Sequence, residues 1–199
     1  MLTIGLTGSI ASGKSEVARI LRSLGAYVVD ADRVAHGVYE PGSEGYDALV
    51  RTFGSAILDA QGAIDRRQLG AIVFADERKR RQLTDIVWPL TRRAVERLAA
   101  EQEAAGTGVF VVEAPLLMEA GWHTLFDQVW LVRTSPENAR RRLAQRGLQP
   151  EDIEARLAAA TDPAVAEAAA HLVIDNNGDV AALERNVTAA WEAVTSRGV

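Results

Sequence analysis

The sequence predicts a three-layer α/β fold, with helices on both faces of a five-stranded, mostly parallel sheet. Three observations predict it. Short, continuous apolar runs recur along the chain, helix-period segments lie between them, and the first run passes through a glycine-rich turn into a helix. Strands with one wet face alternate apolar and polar residues, whereas uninterrupted apolar strands are covered on both faces. Such strands alternating with helices require crossover connections, and crossovers build parallel sheets.

The strand candidates are LTIGLT (2–7), AYVVD (26–30), GVFVVE (108–113), DQVWLV (127–132) and HLVID (171–175). After the first, Val17, Leu21 and Leu24 recur at helical spacing over 14–24, and Gly25 stops that helix. Residues 31–107 are too many for a simple crossover. They hold helical patterns and the loop signals EPGSEG and DAQGAID, and predict an inserted helical part over roughly 33–105. Within it, a helix over 91–105 sets Val95, Leu98 and Gln102 on one face and pairs Arg97 with Glu101 across one turn. Before the last strand, Ser135-Pro136 opens a helix that Gly147 ends, and Pro150 with Glu151 and Asp152 opens another. That predicts a helical hairpin of lid dimensions over roughly 135–165.

Bulk composition narrows the function. The chain has 199 residues, enough for one domain with an insertion, and a net charge of −5, which argues against a nucleic-acid partner. It contains no cysteine, so disulfides and thiolate metal sites are excluded. The N-terminus shows no secretory leader and the apolar runs are too short for a bilayer, so the expected location is cytoplasmic, with no membrane partner.

The turn after the first strand reads GSIASGKS (8–15), matching G-x-x-x-x-G-K-[ST] between a strand and a helix. Gly8 and Gly13 allow a tight turn and close approach to an anion. Successive N–H groups and the helix N-terminus then face a phosphate. Lys14 reaches the β- and γ-oxygens, and the Ser15 hydroxyl ligates Mg²⁺. The chain has only two lysines, Lys14 and Lys79, so an ammonium at this loop stands out against an otherwise arginine-based positive charge.

Acids end two strands. In VVDADRVAH (28–36), Asp30 and Asp32 stand at the carboxyl end of the second strand, where ligands bind in open α/β sheets. Asp32 can orient or deprotonate an acceptor hydroxyl, or it can cap the following helix. Glu113 ends VFVVE and suits a place near Mg²⁺ or the attacking group; it is equally an acid that happens to end a strand. The helix SPENARRRLAQRG (135–147) carries Arg142 and Arg146 one turn apart. That face offers guanidinium forks to phosphate oxygens, or it is a solvated charge run. The three histidines suggest no chemistry.

Taken in order, the phosphate loop, DADRVAH, EPG, RRQLGAIVF, APLLMEAG, SPE with its arginines, and VIDNNGD resemble the dephospho-CoA kinase family, from Leu2 to about Trp191. The resemblance implies a P-loop kinase that uses ATP and Mg²⁺ to phosphorylate the ribose 3′-hydroxyl of dephospho-coenzyme A, the last step of coenzyme A synthesis. It implies that Ala11, Ser12, Gly13, Lys14, Ser15 and Glu16 line the ATP phosphates and that Asp32 faces the 3′-hydroxyl. It makes 33–105 the substrate-binding insertion, with Arg66 meeting substrate phosphates, and Arg142 the lid arginine. Asn177 falls in the loop where nucleotide kinases hold the adenine edge. Departures from the family pattern are Trp88 for His, Ala160 for Gln, His171 for Asp, Glu113 for Asp, and Ser9 and Ala11 for glycines. Two alternatives share the loop: another nucleoside, nucleotide or metabolite kinase, and a nucleotide-binding regulatory module. A GTP switch would need N-K-x-D, and IDNN lacks the lysine.

Overall fold

Five strands, β1 (Leu2–Gly8), β2 (Tyr27–Asp30), β3 (Val109–Glu113), β4 (Gln128–Arg133) and β5 (Leu172–Asp175), form one sheet in the order β2-β3-β1-β4-β5. The computed structural model describes residues 1–158 and 163–196. β1 pairs in parallel with β3 and β4, and β4 with β5. The register sets Leu6 opposite Glu113 and Gly8 opposite Val132, so the carboxyl edges of three strands meet where β1 ends.

The chain divides into two compact units, Met1–Val29 with Gln102–Val199, and Asp30–Glu101. In the first, α1 (Lys14–Ser23) and α9 (Val180–Thr195) lie on one face of the sheet. Val17, Ala18 and Leu21 of α1 and Leu183 and Val187 of α9 bury against Ile4, Leu6, Val111, Trp130 and Ile174. Trp130 is fully buried, and its indole N–H is satisfied by Gln128 Oε1 at 2.8 Å. Helices α6 (Pro136–Gln145) and α7 (Pro150–Ala158) form the expected hairpin, and α8 (Pro163–Ala169) precedes β5. Arg140 of α6 and Glu154 of α7 make a two-pronged pair at 2.6 and 3.0 Å. Ala160 lies outside the described residues.

The second unit holds α2 (Ala31–Gly37), α3 (Glu44–Phe53), α4 (Arg66–Phe74) and most of α5 (Glu77–Ala104), around a core of Leu49, Ile57, Leu69, Val73 and Val87. The segments EPGSEG and DAQGAID are loops up to their caps, where Ser43 starts α3 and Asp65 starts α4. The helix expected over 91–105 is much longer: α5 runs through 28 residues and carries Pro89 inside it. A proline there removes one backbone bond and costs about 3 kcal/mol in isolation. Buried Val87 and Ala94 on either side keep the helix continuous, and exposed pairs such as Arg92–Glu96 at 2.8 Å line it. The expected Arg97–Glu101 pair forms loosely, at 4.0 Å on the surface.

His171 has a structural task. Its N–H donates to Val129 O at 2.9 Å, and its Nδ1 accepts the Val129 N–H at 3.0 Å, extending the β4–β5 ladder by one residue. A carboxylate accepts the same N–H equally well, so His and Asp are physically interchangeable there.

Candidate active site

The loop between β1 and α1 closes tightly because two glycines leave no side chain in the way. A Cβ on Gly8 would sit 2.5 Å from Val132 O, and one on Gly13 would collide with the side-chain amide of Asn176. Gly13 also has φ 97°, a left-handed conformation. Ala11 has φ 56° despite its Cβ, a conformation that costs about 1–2 kcal/mol. Packing holds it there: Ile10 and Ala11 lie against Ala139, Leu143 and Ile153 of the α6–α7 hairpin. A turn from Ser12 N–H to Ser9 O, 3.2 Å, completes the loop.

Lys14 folds over the loop, its ammonium donating to Gly8 O at 2.7 Å and Ser9 O at 3.2 Å. The Ser15 hydroxyl donates to Glu113 Oε1 at 2.9 Å, so β3 delivers its terminal acid to the start of α1. This follows from the register that sets Glu113 beside Leu6. The Glu16 side chain turns away along the helix and accepts two bonds from Arg19, at 2.9 and 2.7 Å.

Arg142 is brought to the loop and Arg146 is not. Arg142 Nη1 donates to Ala11 O at 3.0 Å and Ser12 O at 3.1 Å, and Nη2 to Asn176 O at 2.9 Å. Burial, then the neighbouring Arg141 and Arg146, holds its pKa below the ordinary arginine value. Arg146 sits exposed at the C-cap of α6. Asn177 ties the β5–α9 loop to the start of α6. Its Oδ1 accepts the Ser135 N–H at 2.7 Å and its Nδ2 donates to Asp175 at 2.9 Å. It also lines a cavity of about 780 Å³ together with Ser9, Pro136, Ala139 and Leu157.

In the second unit, the helix cap is Asp30, not Asp32. Asp30 Oδ1 accepts the N–H groups of Asp32 and Arg33 at 2.9 and 3.3 Å. Asp32 stands exposed in the first turn of α2. One turn on, His36 meets the Tyr39 ring edge-on at 6.0 Å. Arg66, the first residue of α4, lies close enough to Tyr39 for its charge to act on the Tyr39 hydroxyl. Burial, then the Arg66 charge, pushes the His36 pKa down against the opposing pull of Asp32 and Asp30. Burial raises that of Tyr39. Asp32, His36, Tyr39 and Arg66 thus form one polar group within this unit.

Sequence reasoning missed Asn176 and Tyr39. Asn176 is buried, and its Nδ2 donates to Ser12 O at 2.7 Å. Its signal was the Asn-Asn pair after the last strand, of which only Asn177 was singled out.

The comparisons with known proteins agree with one another. A family model described as Dephospho-CoA kinase matches residues 2–182. The Dephospho-CoA kinase of Symbiobacterium thermophilum is 42% identical over 194 residues, covering 97% of this chain and 81% of that protein. The crystal structure of TT1252 from Thermus thermophilus superposes with a TM-score of 0.82 at 34% identity, over 100% of this chain and 98% of that one. Dephospho-CoA kinase from Campylobacter jejuni superposes with a TM-score of 0.74 at 25% identity, covering 99% and 98%.

Proposed function

The chain belongs to the dephospho-CoA kinase family, and from that premise we propose how its residues carry out the reaction. It is a kinase that transfers the γ-phosphate of ATP to the ribose 3′-hydroxyl of dephospho-coenzyme A, giving coenzyme A and ADP. The observation that carries this reading is the phosphate loop itself. Lys14 and Ser15 stand at the start of α1, and the Glu113 carboxylate lies 2.9 Å from the Ser15 hydroxyl.

The loop N–H groups and the α1 N-terminus hold the triphosphate. Lys14 exchanges its loop carbonyls for β- and γ-oxygens, and Arg142 braces the loop from the hairpin at 135–165, which serves as the lid. Adenine enters the cavity lined by Asn177. Arg66, in the insertion at 33–105, binds substrate phosphate, and Asp32, immediately before that insertion, accepts the 3′-hydroxyl proton as that oxygen attacks the γ-phosphorus. The bond from the γ-phosphorus to the bridging oxygen breaks, and ADP leaves.

Magnesium fits the donors present. Ser15 and Glu113 already place a hydroxyl and a carboxylate oxygen together, both hard ligands. Mg²⁺ takes few protein oxygens and keeps several of its waters. Ser15 would hold it, with Glu113 accepting from its waters; when bound, it neutralises charge on the phosphate oxygens. Among the described residues no helix is long and apolar enough to cross a membrane. We read the enzyme as cytoplasmic, with a small-molecule substrate and no nucleic-acid partner.

The test is incubation with Mg-ATP and a panel of alcohols that includes dephospho-coenzyme A, with products followed by mass. Coenzyme A is the expected product. A far higher kcat/KM on another acceptor would overturn the substrate assignment.

A further inference from the structure

A peptide unit is planar, so its C=O and N–H point in opposite directions. Whatever grips the Ser12 carbonyl therefore aims the Gly13 N–H. Two groups grip it: Asn176 Nδ2 at 2.7 Å and Arg142 Nη1 at 3.1 Å. Asn176 is 5% exposed and is itself held on both sides. Its N–H donates to Arg133 O at 2.8 Å, continuing the sheet. Its carbonyl accepts from Arg142 Nη2 at 2.9 Å and from the Thr134 hydroxyl at 3.1 Å. The amide also occupies the space that a Gly13 side chain would fill. Gly13 and Asn176 are thus fitted to each other across more than 160 residues of sequence.

We propose that Asn176 is a positioning residue of the phosphate loop: its carboxamide, backed by Arg142, sets the Ser12–Gly13 peptide so that the Gly13 N–H faces the nucleotide phosphates. The proposal rests on the kinase reading above, because it needs the loop to bind triphosphate. It asks for more than a glycine-rich sequence. The loop contains Ala11 in a left-handed conformation, so its shape is not the one the free chain prefers. Asn176 anchors that shape to the sheet. A loop whose Ser12–Gly13 peptide can flip presents a carbonyl to the phosphate instead of a donor.

The experiment measures KM for ATP, KM for dephospho-coenzyme A and thermal unfolding for wild type, Asn176→Ala and Asn176→Asp. The aspartate keeps the volume, removes the donor and turns an oxygen toward the Ser12 carbonyl. Loss of a buried donor to this carbonyl should raise KM for ATP by about tenfold in the alanine variant. The rise should be larger in the aspartate variant. KM for dephospho-coenzyme A should stay within about twofold of wild type in both, a tolerance far below the tenfold step of one lost bond. An ATP KM unchanged in a folded variant overturns the proposal. So does a parallel rise of both KM values with a fall in melting temperature in both variants, which marks a purely structural residue. A wild-type protein that makes no coenzyme A refutes the kinase reading instead, and needs no variant to reveal it.

Discussion

Replacing Arg142 with alanine tests how the hairpin serves the phosphate loop. Its guanidinium makes two groups of bonds: Nη1 shared between Ala11 O and Ser12 O at 3.0 and 3.1 Å, and Nη2 to Asn176 O at 2.9 Å. A hydrogen bond from a charged donor contributes about 1.5–3 kcal/mol. The shared Nη1 counts once, so the gross loss is about 3–6 kcal/mol on that scale. Arg142 is half-buried, and water replaces part of what is lost. About 2–4 kcal/mol then remains, divided between loop order and transition-state charge, or about 30- to 10³-fold in kcat/KM for ATP. Arg141→Ala is the control. Arg141 is exposed and lies about 100° around an ideal helix from Arg142, so its loss should change kcat/KM by less than about threefold. Arg142→Lys should recover little, since one ammonium cannot span both groups of acceptors. A coupled assay of ADP release, with ATP varied at saturating dephospho-coenzyme A, reads all three. Equal and small losses at 141 and 142 would refute the reasoning and leave the arginine run as a solvated face.

The two acids at the β2–α2 junction should separate cleanly. Asp32→Asn should lower kcat by about 10²–10⁴ with the fold intact, as loss of a general base does, whereas Asp30→Ala should cost about 1 kcal/mol of stability through the lost cap. Steady-state kinetics beside thermal melts decide this, and a melting loss at Asp32 with kcat preserved would exchange their roles. His171→Asp should melt close to wild type because the carboxylate still accepts the Val129 N–H, while His171→Ala leaves that donor without its acceptor and should cost about 1 kcal/mol or more. The His36 pKa is lowered by folding, so the neutral form is the one the fold favours. Its contribution to stability is present above its ordinary value of 6.5 and is lost as pH falls below it. His36→Gln should flatten the acid side of a denaturant-melt pH profile, and an unchanged slope would show that His36 titrates alike in both states.

Periodicity and turn chemistry are local, and they were enough for the strands, α1, the α6–α7 hairpin and the phosphate loop. Each is written in residues a few places apart: apolar runs, Ser-Pro at a helix start, glycine where φ must be positive. Pro89 shows where locality fails, because its helix is held by buried residues on both sides that a propensity cannot weigh. The acids show the same at finer scale. Asp30 and Asp32 are alike on paper, and the backbone direction at the end of β2 decided which one caps α2. The partners of the phosphate loop lay furthest out of reach. The register of a parallel sheet brought Glu113 to Ser15, and packing of α6 and β5 against the loop brought Arg142 and Asn176 to the Ser12 carbonyl. These contacts join residues about 100 to 164 positions apart. By itself the sequence determined the glycine-rich turn between β1 and α1 and the residues proposed to hold phosphate there. What holds the loop in shape is a matter of three-dimensional proximity, because a hydrogen bond depends on distance and angle in space and leaves no spacing rule in the chain.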